Sequence, residues 1–180
     1  FDDILALVPG MIVTCAYGQI IAKEILDHPR LGCINVHGSL LPKLRGGAPI
    51  HHAIMDGLEE TGITIMYMAK KMDAGDILDQ QSIDILDEDN QDTIFEKLSI
   101  LGSQMINPVI DELDKGLITP IPQVEEEVTF AWNLTKEDEH IDFNKNARSV
   151  FNQIRGLNSN PTGYILFDGL NVKVYNSRVS

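Results

Sequence analysis

Short apolar runs alternating with helix-length segments between residues 9 and 68 leave this chain little choice of architecture. Residues 9–15 (Pro-Gly-Met-Ile-Val-Thr-Cys) are apolar through their centre, residues 31–37 and 62–68 alternate as strands do, and helices are predicted over about 20–28 and 48–56. Apolar strands separated by helices predict a doubly wound, mostly parallel α/β sheet covered on both faces, with ligands at the carboxyl ends of its strands. A helix end is predicted over 2–8, and a strand over 76–85 as an antiparallel edge. An amphipathic helix from Asp92 to about Lys115, capped by Asp92 or Thr93 and stopped by Gly116, closes this unit.

At one such strand end the sequence concentrates polar chemistry. A strand over 31–37 projects Asn35 and His37 from the same face, and Gly38 ends it beside them. Asp73 follows in Lys71-Met72-Asp73-Ala74-Gly75-Asp76. Amide, imidazole and carboxylate suit the transfer of an acyl-type group onto an amine, which passes through an oxyanion, releases an ammonium proton and protonates a leaving nitrogen. The Asn35 NH₂ would donate to the oxyanion, and a donor of that kind contributes about 3–4 kcal/mol. His37 would shuttle the proton, and Asp73 would orient the ring and favour its charged form. Ser39 lacks the Gly-x-Ser-x-Gly setting of a nucleophile and is expected to order its loop. Alone, Asn35 and His37 could be hydrogen-bonded polar residues at a strand end, and Asp73 a turn residue. Their combination favours catalysis.

Composition narrows the class. Hydrophobic residues make up 43% and charged residues 23%, and no apolar run approaches the roughly 20 residues a bilayer span needs. No membrane role is expected, and the location is expected to be cytoplasmic. Cys15 and Cys33, both in apolar strand-like segments, are expected as buried free thiols. The formal net charge of −13, with 14 Lys and Arg against 27 Asp and Glu, speaks against a broad phosphate-binding surface. There is no Gly-x-Gly-x-x-Gly, Walker-type loop or Cys-x-x-Cys, so dinucleotide, NTP and structural zinc sites lack support. Adjacent His51 and His52 on a predicted helix point about 100° apart and make a poor metal pair. No metal is expected.

From Thr119 to about Glu139 the chain turns Pro- and acid-rich, and an interdomain linker is placed over 119–139 after a catalytic domain over 1–118, with a solvated surface loop as the alternative. Beyond it, a helix near 145–156 leads to strands near 163–168 and 171–178, joined at the hairpin turn Asp168-Gly169. A lone hairpin is not a domain, so 140–180 is expected to begin a β-rich, barrel-like module. The chain opens on Phe1, and its natural N-terminus is expected to lie further upstream.

The run Leu31-Gly32-Cys33-Ile34-Asn35-Val36-His37-Gly38-Ser39-Leu40-Leu41-Pro42-Lys43-Leu44-Arg45-Gly46-Gly47-Ala48-Pro49-Ile50 closely resembles the folate-dependent formyltransferases, as does the Asp73-Ala74-Gly75-Asp76 that follows. Arg45-Gly46-Gly47-Ala48-Pro49-Ile50 and Thr61-Gly62-Ile63-Thr64-Ile65-Met66 lean toward the branch acting on methionyl-tRNA. The resemblance implies a Rossmann-like fold, catalytic roles for Asn35, His37 and Asp73, and a 10-formyltetrahydrofolate site lined by Ser39, Leu40, Leu41 and Pro42. The acceptor would be the α-amine of initiator methionyl-tRNA, in translation initiation, with no metal and no stable protein partner. A relative formylating another amine, such as a sugar nucleotide or glycinamide ribotide, or an inactive folate-binding fragment, are the alternatives. The resemblance also implies a fragment without the opening strands and most of the C-terminal domain. Those regions help hold tRNA in the family, which would reconcile the acidic balance with a nucleic-acid substrate. Asn160 stands where the family usually has Trp.

Overall fold

The computed structural model describes residues 2–18 and 21–179. Helix α1 (Asp2–Ala6) precedes β1 (Ile12–Cys15), α2 (Lys23–Leu26), β2 (Cys33–His37), α3 (Pro49–Met55), β3 (Glu60–Tyr67), β4 (Ile77–Asp84) and the 24-residue α4 (Gln91–Asp114). After a 3₁₀ turn at Glu125–Glu127 come α5 (Lys136–Glu139), α6 (Ala147–Leu157) and the strands β5 (Gly163–Phe167) and β6 (Leu170–Val174). The helix expected over 20–28 is the single turn α2, and residue 20 lies outside the described residues.

The first four strands form one sheet in chain order. β1 and β2 pair in parallel, whereas β3 runs antiparallel to β2 and β4 antiparallel to β3. The sheet is therefore mixed, inside the α/β class that the sequence predicts. Only the β1–β2 pair matches the mostly parallel expectation, because of how the chain between β2 and β3 is used. Residues 38–48 form a loop against the end of the sheet, and the seven-residue α3 spans only about 10 Å. β3 thus starts beyond the end of β2, pairs Thr64 with His37, and returns along it. Its residues 61–66 are buried without interruption, as expected for a central strand covered on both faces.

The two faces of the sheet carry different chemistry. Ile34, Val36, Ile63 and Ile65 share one face by strand alternation, and with Ile94, Leu98, Met105, Val109 and Leu113 of α4 they make the apolar core. Asn35, His37 and Thr64 face the other way. The N-cap of α4 is Asn90, not Asp92 or Thr93: its side chain accepts from the Thr93 N–H while Thr93 reaches back to the Asn90 N–H. Cys33 is buried as expected, but Cys15 is exposed, because β1 is the outer strand among the described residues and alternates half-buried with exposed residues.

The segment after α4 is stitched to the first unit. Ile121 pairs with Ile77, Phe130 pairs with Arg45, and Ala131 is fully buried in the core. Helix α6 packs on α3, and its Arg155 donates to the carbonyls of Leu86 and Asp89 in the turn before α4. The β5–β6 hairpin turns on Asp168 and Gly169 with φ of 49° and 78°, the positive pair that the Asp-Gly signal predicts. Asn160 uses only its carbonyl, which accepts from His51 Nε2, and its exposed side chain fills no core position.

Two stability tests follow from this packing. A Cβ at Gly62 would stand 2.2 Å from the Gln81 carbonyl oxygen and 2.5 Å from a Leu40 methyl. Gly62→Ala should therefore cost about 1–3 kcal/mol, read as a lowered urea midpoint. Burial pushes the Asp89 carboxyl up, but Lys97, the Leu86 N–H and Thr93 together hold it below its ordinary value. A depressed carboxyl stabilises the fold above its unfolded value, about 3.9, and that contribution is lost as pH falls through the folded value. Asp89→Asn should cost about 1–3 kcal/mol near pH 7. The gap to the parent should close as unfolding is measured at progressively lower pH below 4.

Candidate active site

His37 is the last residue of β2 and is 6% exposed. Its Nε2 lies 3.0 Å from the Leu44 carbonyl oxygen. A carbonyl can only accept, so Nε2 carries the proton and the neutral ring keeps its lone pair on Nδ1. That nitrogen faces Asp73 Oδ2 at 3.8 Å. The gap is too long for a hydrogen bond and close enough for an ion pair once Nδ1 is protonated. The ring is thus a base on one side, anchored on the other, with a negative charge waiting beside the proton it would gain.

Both anchors have left-handed backbone: Leu44 has φ of 59° and Asp73 of 48°, a region that costs Leu about 1–2 kcal/mol and Asp less, because its short polar side chain bonds locally. The Gly46 N–H donates to Asp73 Oδ2 at 2.9 Å, which aims the carboxylate inward. The trio expected from the sequence therefore includes a buried imidazole and a carboxylate that do converge.

Asn35 stands two residues before His37 on the same face, about 6.6 Å along the strand. Thr14 of β1, its register partner, donates to Asn35 Oδ1 at 2.8 Å. The amide NH₂ is left without a protein partner among the described residues and is free to donate. Thr14 escapes sequence reading because its strand is apolar through its centre and reads as wholly covered. The one polar residue in that run was the available signal.

The loop after β2 is held as tightly as a core. Ser39 is fully buried, and its Oγ donates to the Lys43 carbonyl at 2.7 Å. Thr64 Oγ1, also fully buried, donates to the Ser39 carbonyl and accepts from the Leu41 N–H and the Gln80 amide. Leu40, Leu41 and Pro42 line a cleft of about 230 Å³ with Leu44, Leu58 and the acidic Glu59, Glu60 and Glu127, while Ser39, Asn35, His37 and Asp73 stay out of its wall. Among the described residues no three His, Cys, Asp or Glu side chains are grouped to hold a metal ion, and no helix is long and apolar enough to cross a membrane.

Comparison with known proteins places this geometry in context. A family model for formyl transferase matches residues 1–110, and one for the formyl transferase C-terminal domain matches 133–180. Methionyl-tRNA formyltransferases of Bacillus thuringiensis and Bacillus anthracis are 52% identical over 175 residues, covering 97% of this chain and 56% of theirs. The chain thus spans little more than half the length of the curated relatives it matches. Among solved structures, a 4-N formyltransferase from Francisella tularensis aligns with a TM-score of 0.81 at 22% identity over 99% of this chain and 75% of its own. HypX from Aquifex aeolicus, in complex with tetrahydrofolic acid, aligns at 0.82 and 17% identity over 98% of this chain and 31% of its own. At such identities these structures support the fold.

The anchored imidazole makes a spectroscopic prediction. Long-range ¹H–¹⁵N correlation above the titration range should find the His37 proton on Nε2 and not on Nδ1. The opposite tautomer would contradict the Leu44 contact.

Proposed function

The chain belongs to the formyl transferase family, and on that premise we propose that it carries the chemical core of an enzyme formylating the α-amine of initiator methionyl-tRNA. The donor in this reading is 10-formyltetrahydrofolate, the setting is cytoplasmic translation initiation, and no metal takes part. The observation that carries it is His37: a buried base with a free Nδ1, flanked by a carboxylate and preceded by an unpartnered amide donor. The 52% identity to methionyl-tRNA formyltransferases supports the choice of acceptor.

Each side chain has a defined task in this reaction. The folate donor supplies a formyl carbon on a nitrogen able to leave. Asn35 NH₂ donates to the formyl oxygen as it gains negative charge when the amine attacks. His37 Nδ1 accepts the proton lost by that amine, and Asp73 stabilises the resulting imidazolium. The same proton then passes to the leaving nitrogen as its bond to carbon breaks, so the ring ends as it began. Leu40, Leu41 and Pro42 offer apolar wall to a flat donor, and Ser39 acts on that wall by shaping its loop. The cleft of about 230 Å³ is not lined by Asn35, His37 or Asp73 and is below the usual 300–1,000 Å³ of a small-molecule site, so these residues would hold only a part of the donor away from its reacting end. With a net charge of −13, this chain would leave most tRNA phosphate contacts to other regions of the protein. In this reading 1–118 is the catalytic unit, 119–139 connects it, and 140–180 begins the C-terminal module.

In the intact gene product, His37→Ala should lower kcat about 10²- to 10⁴-fold and Asn35→Ala about 10²- to 10³-fold. Donor affinity, read by titration calorimetry, should stay within a few-fold. Equal losses in turnover and binding would sink these roles. Turnover on a sugar nucleotide but not on methionyl-tRNA would reassign the acceptor. Donor binding with no turnover on either would leave a folate-binding module.

A further inference from the structure

We infer that Gln123 is a positioning residue for this site, holding the left-handed turn of Asp73 in register with the buried Arg45. The inference rests on the formyl-transfer reading and adds a residue from outside its motif. One side-chain amide makes four contacts. Its Nε2 donates to the carbonyls of Asp73 and Gly75, each at 2.8 Å, and its Oε1 accepts from Arg45 Nε at 3.0 Å and Nη2 at 2.8 Å. An amide can offer two donors and two acceptor lone pairs, so Gln123 is saturated, and neither Glu nor an apolar side chain can replace it.

What it joins explains its importance. Asp73 turns the chain at φ of 48°, with its carbonyl fixed by Gln123 and its carboxylate by the Gly46 N–H. Arg45 sits between Leu44 and Gly46, the two residues whose backbone touches His37 and Asp73. Its side chain is fully buried and is matched by Gln123 and by Glu125, which Lys71 also contacts. The same segment holds the loop backbone: Thr129 accepts from the N–H groups of Leu44 and Arg45, and the Ala131 N–H donates to the Arg45 carbonyl. Gln123 therefore ties together the two arms that bear the partners of His37, without itself touching the ring.

Gln123→Glu in the intact gene product tests this. Glu keeps the acceptor for Arg45 and sets a carboxylate oxygen against two carbonyls, so the Asp73 turn should shift. Formyl transfer to methionyl-tRNA should fall about 10- to 100-fold in kcat, the cost of a displacement near 1 Å, with KM for both substrates within about twofold. Independently of turnover, the Gly46 amide proton should move upfield in NMR spectra, in the direction that Asp73→Asn moves it. A folded Gln123→Glu protein with unchanged kcat and an unmoved Gly46 resonance overturns the inference. If the parent transfers no formyl group, the functional reading fails, and the Gly46 resonance still decides whether Gln123 positions Asp73. Should the Glu variant fail to fold, Gln123→Met keeps the side-chain length and serves the same two readouts.

Discussion

Burying the loop between β2 and α3 is the constraint from which the rest follows. A loop packed away from water must find a partner for every main-chain N–H and C=O, and this one bears two of the groups that define the site. Thr64 supplies partners from the sheet below, and residues 129–131 supply them from the strand-like segment above. With the backbone so determined, Leu44 can be kept in a conformation that costs about 1–2 kcal/mol and turn its carbonyl onto the imidazole. Strain of this kind persists where surrounding contacts over-determine it.

The sheet separates stability from chemistry. One face gives its isoleucines to α4 and makes a dry core; the other carries Asn35, His37 and Thr64 toward the loop. Period-two alternation along β2 is enough to achieve this, because successive side chains point to opposite faces. A slip of one residue in register would send the imidazole into the apolar core and Val36 to the site. The ladder from Ile34–Tyr67 to His37–Thr64 is what forbids it.

Much of this was legible in the residues, and what was not has a physical cause. The strands and the long helix follow from local periodicity, and the side on which Asn35 and His37 lie follows from alternation. The Asp-Gly hairpin follows from turn chemistry. Strand direction did not, because apolar runs report that both faces are covered and carry no sign of orientation; β3 could have run either way. The exposed Cys15 was hidden for the same reason, since an apolar run does not say whether a further strand of the described sheet lies beside it. The partners that finish the site lie far along the chain: Thr14 is 21 residues from Asn35, and Gln123 is 78 from Arg45. No local pattern encodes such a pair. In the run 119–139 Glu125, Glu126 and Glu127 are exposed while Glu139 is buried in α5, and among the acids and prolines stands one glutamine with all its hydrogen-bonding capacity used.

The left-handed backbone at Asp73 has a bearing on how this position can vary. Only Gly, Asn and Asp enter that region at small cost, because the latter two have short polar side chains that bond locally. Glutamate, although it bears the same charge, would have to distort the turn before its carboxylate could face the ring. Among replacements, asparagine alone removes the charge while leaving the shape, and glycine alone removes the side chain while leaving the path of the chain. The repertoire open to drift at this position is thus set first by torsion angles and only then by the reaction.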